Sequence, residues 1–583
     1  MVNLLNLQRI PFLKDIPVRA LRAAEKDAVW FSVPGGGSLF DEGSSSDAIY
    51  FVLSGTLGAF RRAPDGKTEF IGHIRPGEPV GEMAMLAGEP HTNSVLAVRD
   101  SEVIKLPRKT FMTLVRSSPE VMERLSRILL VRLRQTRRQN QRAEPKVFAL
   151  TAASPTIDLR LRARSIADAL ARMGLSAAIV GEEAERQGAS YFDELEAAND
   201  VVILISTIGD NRWFKLSMRQ ADRIWVLARP DARPSVPLLP DETSPAKTFR
   251  LIDVVLIEHS NGRRISKPKE WIEAAGAARC FRWTGVDGGD CDRLARVMAG
   301  RSIGLVLSGG GARAYAHIGV VKALREANIP IDFIGGASMG AVVAACVAKG
   351  WNDEEIDRRI RKAFVKSNPL GDYTIPVISL VRGKRVNRRL AEHFGDDDIT
   401  DLTLPFFALS ANLTDGVVRI HDDGKLRHAL RASISLPGIL PPSVHEGEVL
   451  VDGAVLNNFP VDVMRQMHRG FVIGCDVARA PEGLKADDFV DAPGFVGWVL
   501  RHGFSSPPPI ASLLMRTATV SVDPIAGREL ADILILPDIP DVDLRDWKEY
   551  DTAVEAGYQS TKHALQNASG PIARLVRRRS SEA

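Results

Sequence analysis

Apolar and polar positions alternate in short, glycine-broken runs over the first hundred or so residues: Ala48 to Ser54, Thr56 to Arg61, Phe70 to Ile74, Asn93 to Val98 and Glu102 to Leu106. A period of two in runs this short predicts a small antiparallel β-barrel between about Phe12 and Phe111. The period then lengthens. From Ser118 to about Gln141, Leu125, Ile128, Leu129 and Leu133 share one side of a helix, with Arg124, Arg127, Arg132, Arg134, Arg137, Arg138 and Arg142 around and beyond it. That distribution reads as a solvated arm connecting domains. Between Glu144 and Gly300 the runs become continuously apolar: Val147 to Leu150, Val201 to Ser206, Arg223 to Leu227 and Val254 to Glu258, with a helical stretch from Ile157 to Met173. Strands of this kind alternating with helices predict a parallel α/β sheet, and Pro230 to Pro245 its longest irregular loop. A second α/β unit begins at Ser302 and ends in a helix from Asp551 to Gln566, after a stretch from Ala480 to Pro509 rich in Gly, Pro and aromatics. The expected organisation is therefore multidomain: a β-barrel with a C-terminal helix over 1–142, a parallel α/β domain over 143–300 and a second α/β domain with a C-terminal extension over 301–583.

Charge narrows the function classes. The 76 basic and 72 acidic residues nearly cancel, which leaves no field strong enough to argue for nucleic acid. The basic tail Arg574 to Arg579 is short. Cys280, Cys291, Cys346 and Cys475 form no close CxxC pair, so neither a metal nor a redox cofactor is expected. Pro11 and charges interrupt Met1 to Asp15, where a secretory signal would be unbroken and apolar, and no run reaches the length of a bilayer span. The expectation is a cytoplasmic protein, with peripheral association at the inner membrane surface open to it.

Two strand-turn-helix segments carry the candidate chemistry. The apolar strand Ile303 to Leu307 enters Ser308-Gly309-Gly310-Gly311-Ala312-Arg313 and then a helix, Ala314 to Ala327. Amides of Gly309, Gly310 and Gly311 at a helix start suit an anion, either an oxyanion or a phosphate. GxxxxGK[ST] and GxGxxG are both missing, which favours the oxyanion. The strand Ile331 to Ile334 then leads to Gly336-Ala337-Ser338-Met339-Gly340 and the helix Ala341 to Lys349. A GxSxG elbow projects its serine from a tight turn, whereas the bland alternative is a serine cap on a closely packed helix. Ser338 is the candidate nucleophile. For its base, His468 and His563 lie in helical stretches and read as surface or structural side chains, and His502 is no stronger. Val449 to Val451 instead forms a strand delivering Asp452 beside Gly453, so a carboxylate can meet the serine directly.

GGGAR at Gly309 to Arg313, GASMG at Gly336 to Gly340 and DGA at Asp452 to Ala454 resemble, in order and without substitution, a patatin-like phospholipase. Arg431 to Pro442, the run Asp452 to Pro460 with Asn457 and Asn458, and the lead-in Leu294 to Gly300 resemble its neuropathy target esterase branch. The resemblance implies a patatin-like α/β hydrolase domain with a Ser338–Asp452 dyad, an oxyanion hole from Gly309, Gly310 and Gly311, and motif support from Arg313, Gly336, Gly340 and Gly453. It also implies an acyl-enzyme and a phospholipid or lysophospholipid substrate. Two segments could meet lipid: Arg382, Lys384, Arg385, Arg388 and Arg389 near Leu380, and Phe495, Trp498, Leu500 and Phe504 beside Pro507 to Pro509.

At the front, Phe40 to Gly43, Tyr50 to Gly55 and Gly81-Glu82-Met83-Ala84-Met85-Leu86 resemble a cyclic-nucleotide-binding domain. The resemblance implies that Gly81 and Glu82 face a ribose and cyclic phosphate, with an arginine a few residues on. His91 stands at that arginine's place, and a neutral imidazole lacks the permanent bidentate charge a phosphodiester favours. A structural or regulatory barrel is expected, rather than a tight receptor for cyclic AMP or GMP. The middle domain resembles a nucleotide-hydrolase-like insert, yet Thr151 to Pro155 offers neither glycine loop nor lysine. A reading of another class remains beside the hydrolase: a cyclic-nucleotide-sensing regulator with a vestigial lipid-binding domain.

Overall fold

The computed structural model describes residues 5–568 except 9, 15, 63–67, 136–144, 236–237, 240–250, 259–264, 368, 376, 469, 479–512, 515–516, 518–522, 524, 540–541 and 543–545. They fall into two compact units, Met1–Met298 and Ala299–Ala583.

In the first unit, β1 (Val29–Val33), β2 (Ser38–Phe40), β3 (Ala48–Ser54), β4 (Leu57–Arg62), β5 (Thr68–Ile74), β6 (Pro79–Val80), β7 (Ser94–Ala97) and β8 (Ser101–Pro107) form the barrel. They make two four-stranded antiparallel sheets, ordered β1, β8, β3, β6 and β2, β7, β4, β5. Alternation explains why β3 is apolar throughout. Ala48, Tyr50 and Val52 point into the barrel with Leu57 and Val95, while Ile49 and Phe51 pack outward on helical Leu13, Phe111 and Leu114. The helix expected from Ser118 runs from Glu120 to Gln135, after a separate helix Arg108–Ser117. Pro119 separates them, because its ring fits the start of a helix and not its interior. Arg137, Arg138 and Arg142 lie outside the described residues.

Six parallel strands follow: β9 (Val147–Ala152), β10 (Ala177–Val180), β11 (Val201–Thr207), β12 (Arg223–Ala228), β13 (Leu251–Glu258) and β14 (Arg279–Thr284), ordered β10, β11, β9, β12, β13, β14. β10 and β14 are additions to the sequence reading. Both are edge strands, only partly buried, so neither carries the uninterrupted apolar run of a central strand. Asp253 of β13 is fully buried and is satisfied by Arg223 at 2.9 Å, Arg279 at 2.7 Å and the Trp225 indole at 3.0 Å. Barrel and sheet are pinned together within this unit. Buried Arg99 pairs with Glu196 at 3.0 Å, the Gly55 amide donates to Asp193 at 3.3 Å, and Arg219 reaches Asp100 at 3.0 Å.

The second unit holds an eight-stranded mixed sheet of β15 (Ile303–Leu307), β16 (Phe333–Ala337), β17 (Phe406–Asn412), β18 (Val417–His421), β19 (Ser443–His445), β20 (Glu448–Asp452), β21 (Phe471–Cys475) and β22 (Ile533–Ile535). The order is β19, β20, β17, β16, β15, β21, β22, with β18 also on β17. β17, β16, β15, β21 and β22 run parallel, and β18 and β20 oppose β17. The helix Met339–Ala348 is apolar on every side and buried on every side, as the central layer of an α/β fold requires. Helices Ala316–Glu326 and Tyr550–Gln566 meet backbone to backbone at Gly319 and Gly557. A Cβ on Gly319 would lie 1.9 Å from the Val554 carbonyl oxygen, and one on Gly557 1.9 Å from that of Ala316. Among the described residues no helix is long and apolar enough to cross a membrane.

Candidate active site

Sheet register brings the serine and the carboxylate together. Ala337 at the end of β16 pairs with Leu409 of β17, and the next β17 residue, Ser410, pairs with Asp452 at the end of β20. Ser338 follows Ala337 directly, so the ends of two strands converge over a third. Its Oγ donates to Asp452 Oδ2 at 2.6 Å, and both residues are buried, at 6% and 0% exposure. Ser338 has φ 52 and ψ −130, a backbone conformation that costs a non-glycine residue about 1–3 kcal/mol and recurs at functional turns. Gly336 and Gly340 make the elbow sterically feasible. Side chains there would come within 2.2 and 2.4 Å of the Leu307 carbonyl oxygen.

One segment braces both groups. The Ser338 amide donates to Ser433 Oγ at 2.9 Å, and the Asp452 amide donates to the Ser435 carbonyl at 2.9 Å. Arg431 holds this segment through Ser435, Asn387 and the Pro441 carbonyl. Asp452 Oδ1 accepts from the Ala454 amide at 2.9 Å, beside Gly453 in the turn that ends β20. Burial pushes the Asp452 carboxyl up to about 7, partly offset by the bonds from Ser338 and Ala454. A carboxylate poised near neutrality can both take and return a proton.

The glycine loop lies alongside, because Leu307 pairs with Gly336 and Ser308 then turns out of the sheet. Gly309 sits where a Cβ would be 3.0 Å from Ser338 Cβ. Its amide donates to the Asn458 carbonyl at 3.2 Å while Asn458 Nδ2 returns a bond to the Gly309 carbonyl at 3.2 Å. Of the three amides expected to face an anion, that of Gly309 is therefore engaged in anchoring the loop. Met339, the first residue of the following helix, adds an N–H with no carbonyl partner one turn back. Arg313 is half-buried in the turn Gly311–Tyr315. Fully buried His317 ties the loop down, with Nε2 2.8 Å from the Ser308 carbonyl and Nδ1 3.2 Å from Cys475 Sγ. Burial pulls its imidazole down to about 4, so it serves as a neutral brace. Ser433 and Asn458 entered the sequence reading only as parts of family-like segments, with no role at the site, and His317 did not enter it. Their roles depend on long-range pairing that no local pattern announces.

No histidine among the described residues bonds to Ser338 or Asp452. His468 is buried, stacked on Phe333 at 4.9 Å and bonded to Ser302, hence structural and not on the surface. His563 sits on the final helix against Asn567. His502, and the segment with Phe495, Trp498, Leu500, Phe504 and Pro507 to Pro509, lie outside the described residues. In the barrel, Gly81, Glu82 and His91 do converge. His91 stacks on Phe40 at 3.7 Å and its ring abuts Gly81, with Glu82 buried alongside. Burial lowers the His91 value, leaving a neutral ring. Among the described residues no cluster of His, Cys, Asp and Glu could hold a metal ion.

Against known proteins, residues 305–465 match the patatin-like phospholipase family and residues 30–118 the cyclic nucleotide-binding domain. The chain is 33% identical over 586 residues to an uncharacterized NTE family protein of Mycobacterium tuberculosis, covering 96% of both chains. It belongs to the NTE family. Similarity within and around that family extends to human patatin-like phospholipase domain-containing protein 6, at 29% identity over 91% of this chain and 44% of the human one. Rat patatin-like phospholipase domain-containing protein 7 is 29% identical over 78% of this chain and 38% of its own length. A solved structure of a putative cyclic nucleotide binding protein from Ruegeria pomeroyi aligns with 23% of this NTE family chain and 60% of its own, at 26% identity and a TM-score of 0.20. The patatin-like match contains Ser338, Asp452 and the glycine loop, and the cyclic nucleotide-binding match contains Gly81, Glu82 and His91.

Proposed function

We propose that this chain hydrolyses carboxylic esters of phospholipids or lysophospholipids, with Ser338 as nucleophile and Asp452 as proton acceptor. The observation that carries the reading is the 2.6 Å bond from a strained, buried serine to a buried carboxylate. As Ser338 Oγ attacks the ester carbonyl carbon, its proton passes to Asp452 Oδ2. The developing oxyanion is met by the amides of Gly310 and Gly311, with Met339 N–H at the helix start, each such donor being worth about 3 kcal/mol. Collapse breaks the ester C–O bond, and the alcohol leaves with the proton held by Asp452. Water then attacks the acyl-enzyme as Asp452 takes its proton, and the fatty acid departs as Ser338 Oγ is reprotonated. Gly336, Gly340, Gly453 and Arg313 support the turns that hold these groups.

The chain up to residue 300 is best read as two domains, 1–142 and 143–300, since barrel and sheet enclose separate cores. Its barrel acts as a structural or regulatory module, because neutral His91 stacked on Phe40 offers a cyclic phosphate no fixed charge. Cys280, Cys291, Cys346 and Cys475, present as thiols, suit a reducing, cytoplasmic setting. The decisive experiment is labelling with a fluorophosphonate probe. Wild-type protein labels at Ser338 and hydrolyses nitrophenyl esters and lysophospholipid, and Ser338→Ala does neither. Retained hydrolysis in Ser338→Ala, or a label on another residue, defeats the assignment.

A further inference from the structure

Between Leu370 and the helix Lys384–Phe394 the second unit projects a short hairpin. Tyr373 pairs with Val381, the Thr374 amide donates to the Leu380 carbonyl at 2.9 Å, and the Arg382 amide donates to that of Asp372 at 3.0 Å. Ser379, Leu380 and Val381 are buried at its base, yet Ile375, Val377 and Ile378 near its tip are 80%, 89% and 71% exposed. Single exposed aliphatics are ordinary on a protein surface. Three within four positions, lifted clear on a hydrogen-bonded stem, keep apolar surface in water that the fold could have buried, and such a feature marks a contact site.

The hairpin's surroundings identify the occupant. The helix that follows buries Val386, Leu390 and Phe394 and turns Lys384, Arg385 and Arg388 outward, with exposed Arg382 just before it. Against these four cations stands Asp372 at the stem, which accepts from the Arg385 amide at 3.2 Å. An apolar tip inside a basic collar matches the interface of an anionic bilayer, where aliphatic side chains enter the acyl boundary and cations meet phosphate headgroups. The stem is also continuous with the site. Leu380 and Val381 amides donate to the Gly438 and Ile439 carbonyls, a few residues beyond Ser433 and Ser435, which hold Ser338 and Asp452.

We propose that the hairpin bearing Ile375, Val377 and Ile378 inserts into an anionic phospholipid surface and seats the serine site on it. This deepens the lipid-ester reading and rests on it for turnover, though not for binding. Full-length protein is sedimented with phosphatidylcholine vesicles, with and without phosphatidylserine. The Ile375→Ser/Val377→Ser/Ile378→Ser variant should lose binding to both by roughly tenfold or more. Lys384→Glu/Arg388→Glu should lose only the preference for phosphatidylserine. All three proteins should hydrolyse a water-soluble nitrophenyl ester equally, which also reports that the variants fold. Unchanged vesicle binding by the triple-serine variant overturns the proposal. So does loss of soluble-ester hydrolysis alongside vesicle turnover in a variant whose circular dichroism and Tm match wild type, which would put the hairpin inside the catalytic cleft. Sedimentation velocity showing self-association of wild type, abolished by the serines, would assign the tip to a second copy instead. A wild-type chain that binds vesicles through the hairpin but hydrolyses neither substrate would defeat the Ser338 reading alone.

Discussion

Asp452 is held in a place that resists its charge, and two measurable behaviours follow. Only its ionised form can take the Ser338 proton, and burial sets that ionisation near 7. Accordingly kcat/KM should rise with pH and level off above about 7 to 8, a limb that a titration of nitrophenyl ester hydrolysis would display. The same shift bears on stability. The folded-state value is raised above the ordinary 3.8, so the native protein keeps a proton that the unfolded chain releases. The stabilisation is complete below about pH 4 and is lost as pH rises towards 7. Asp452→Asn removes that loss while keeping the shape. It should abolish turnover yet raise the Tm of the second unit above pH 7, by about 2–4 °C for each kcal/mol regained. Calorimetry at two pH values would show this, and a lowered Tm would contradict it. His468→Ala and His563→Ala should leave the chemistry largely intact.

Local signals read well at the level of elements, and distant pairing did not. Ile303 to Leu307, the Ser338 elbow and the approach to Asp452 were legible because each is an apolar strand closed by a glycine turn, a pattern contained within ten residues or so. β10 and β14 were missed because edge strands are only half covered and lose the apolar continuity of central ones. The role of Ser433 was invisible for a different reason. A serine in a helix is unremarkable until the fold sets its Oγ under the Ser338 amide, 95 residues away in sequence. Gly309 was legible as a loop residue and misjudged as a free donor, since its partner Asn458 lies 149 residues on. Helix packing makes a sharper claim. Gly319→Ala should destabilise the second unit by about 1–3 kcal/mol, as its methyl would have to displace the helix Tyr550–Gln566, and urea titration followed by circular dichroism would detect it.

Over the whole molecule, ion pairs in the first unit hold barrel and sheet as one body. Arg99 is buried and bonded to both Thr56 and Glu196, so Arg99→Ala should strand the Glu196 charge and cost about 3–5 kcal/mol of that unit's stability. A fall in its urea midpoint is the expected readout, and an unchanged midpoint would show the clamp to be dispensable. Barrel chemistry makes its own prediction. Titration calorimetry with cyclic AMP and cyclic GMP should give no binding heat, because the imidazole beside Gly81 is neutral and stacked on Phe40. The contact between Gly319 and Gly557 also has a consequence for the order of events during synthesis. The glycine loop and Ser338 leave the ribosome well before the helix Tyr550–Gln566, which packs on the segment behind that loop. A growing chain thus carries Ser338 before the support for its glycine loop exists. A chain truncated before Tyr550 should therefore be inactive although it carries both Ser338 and Asp452.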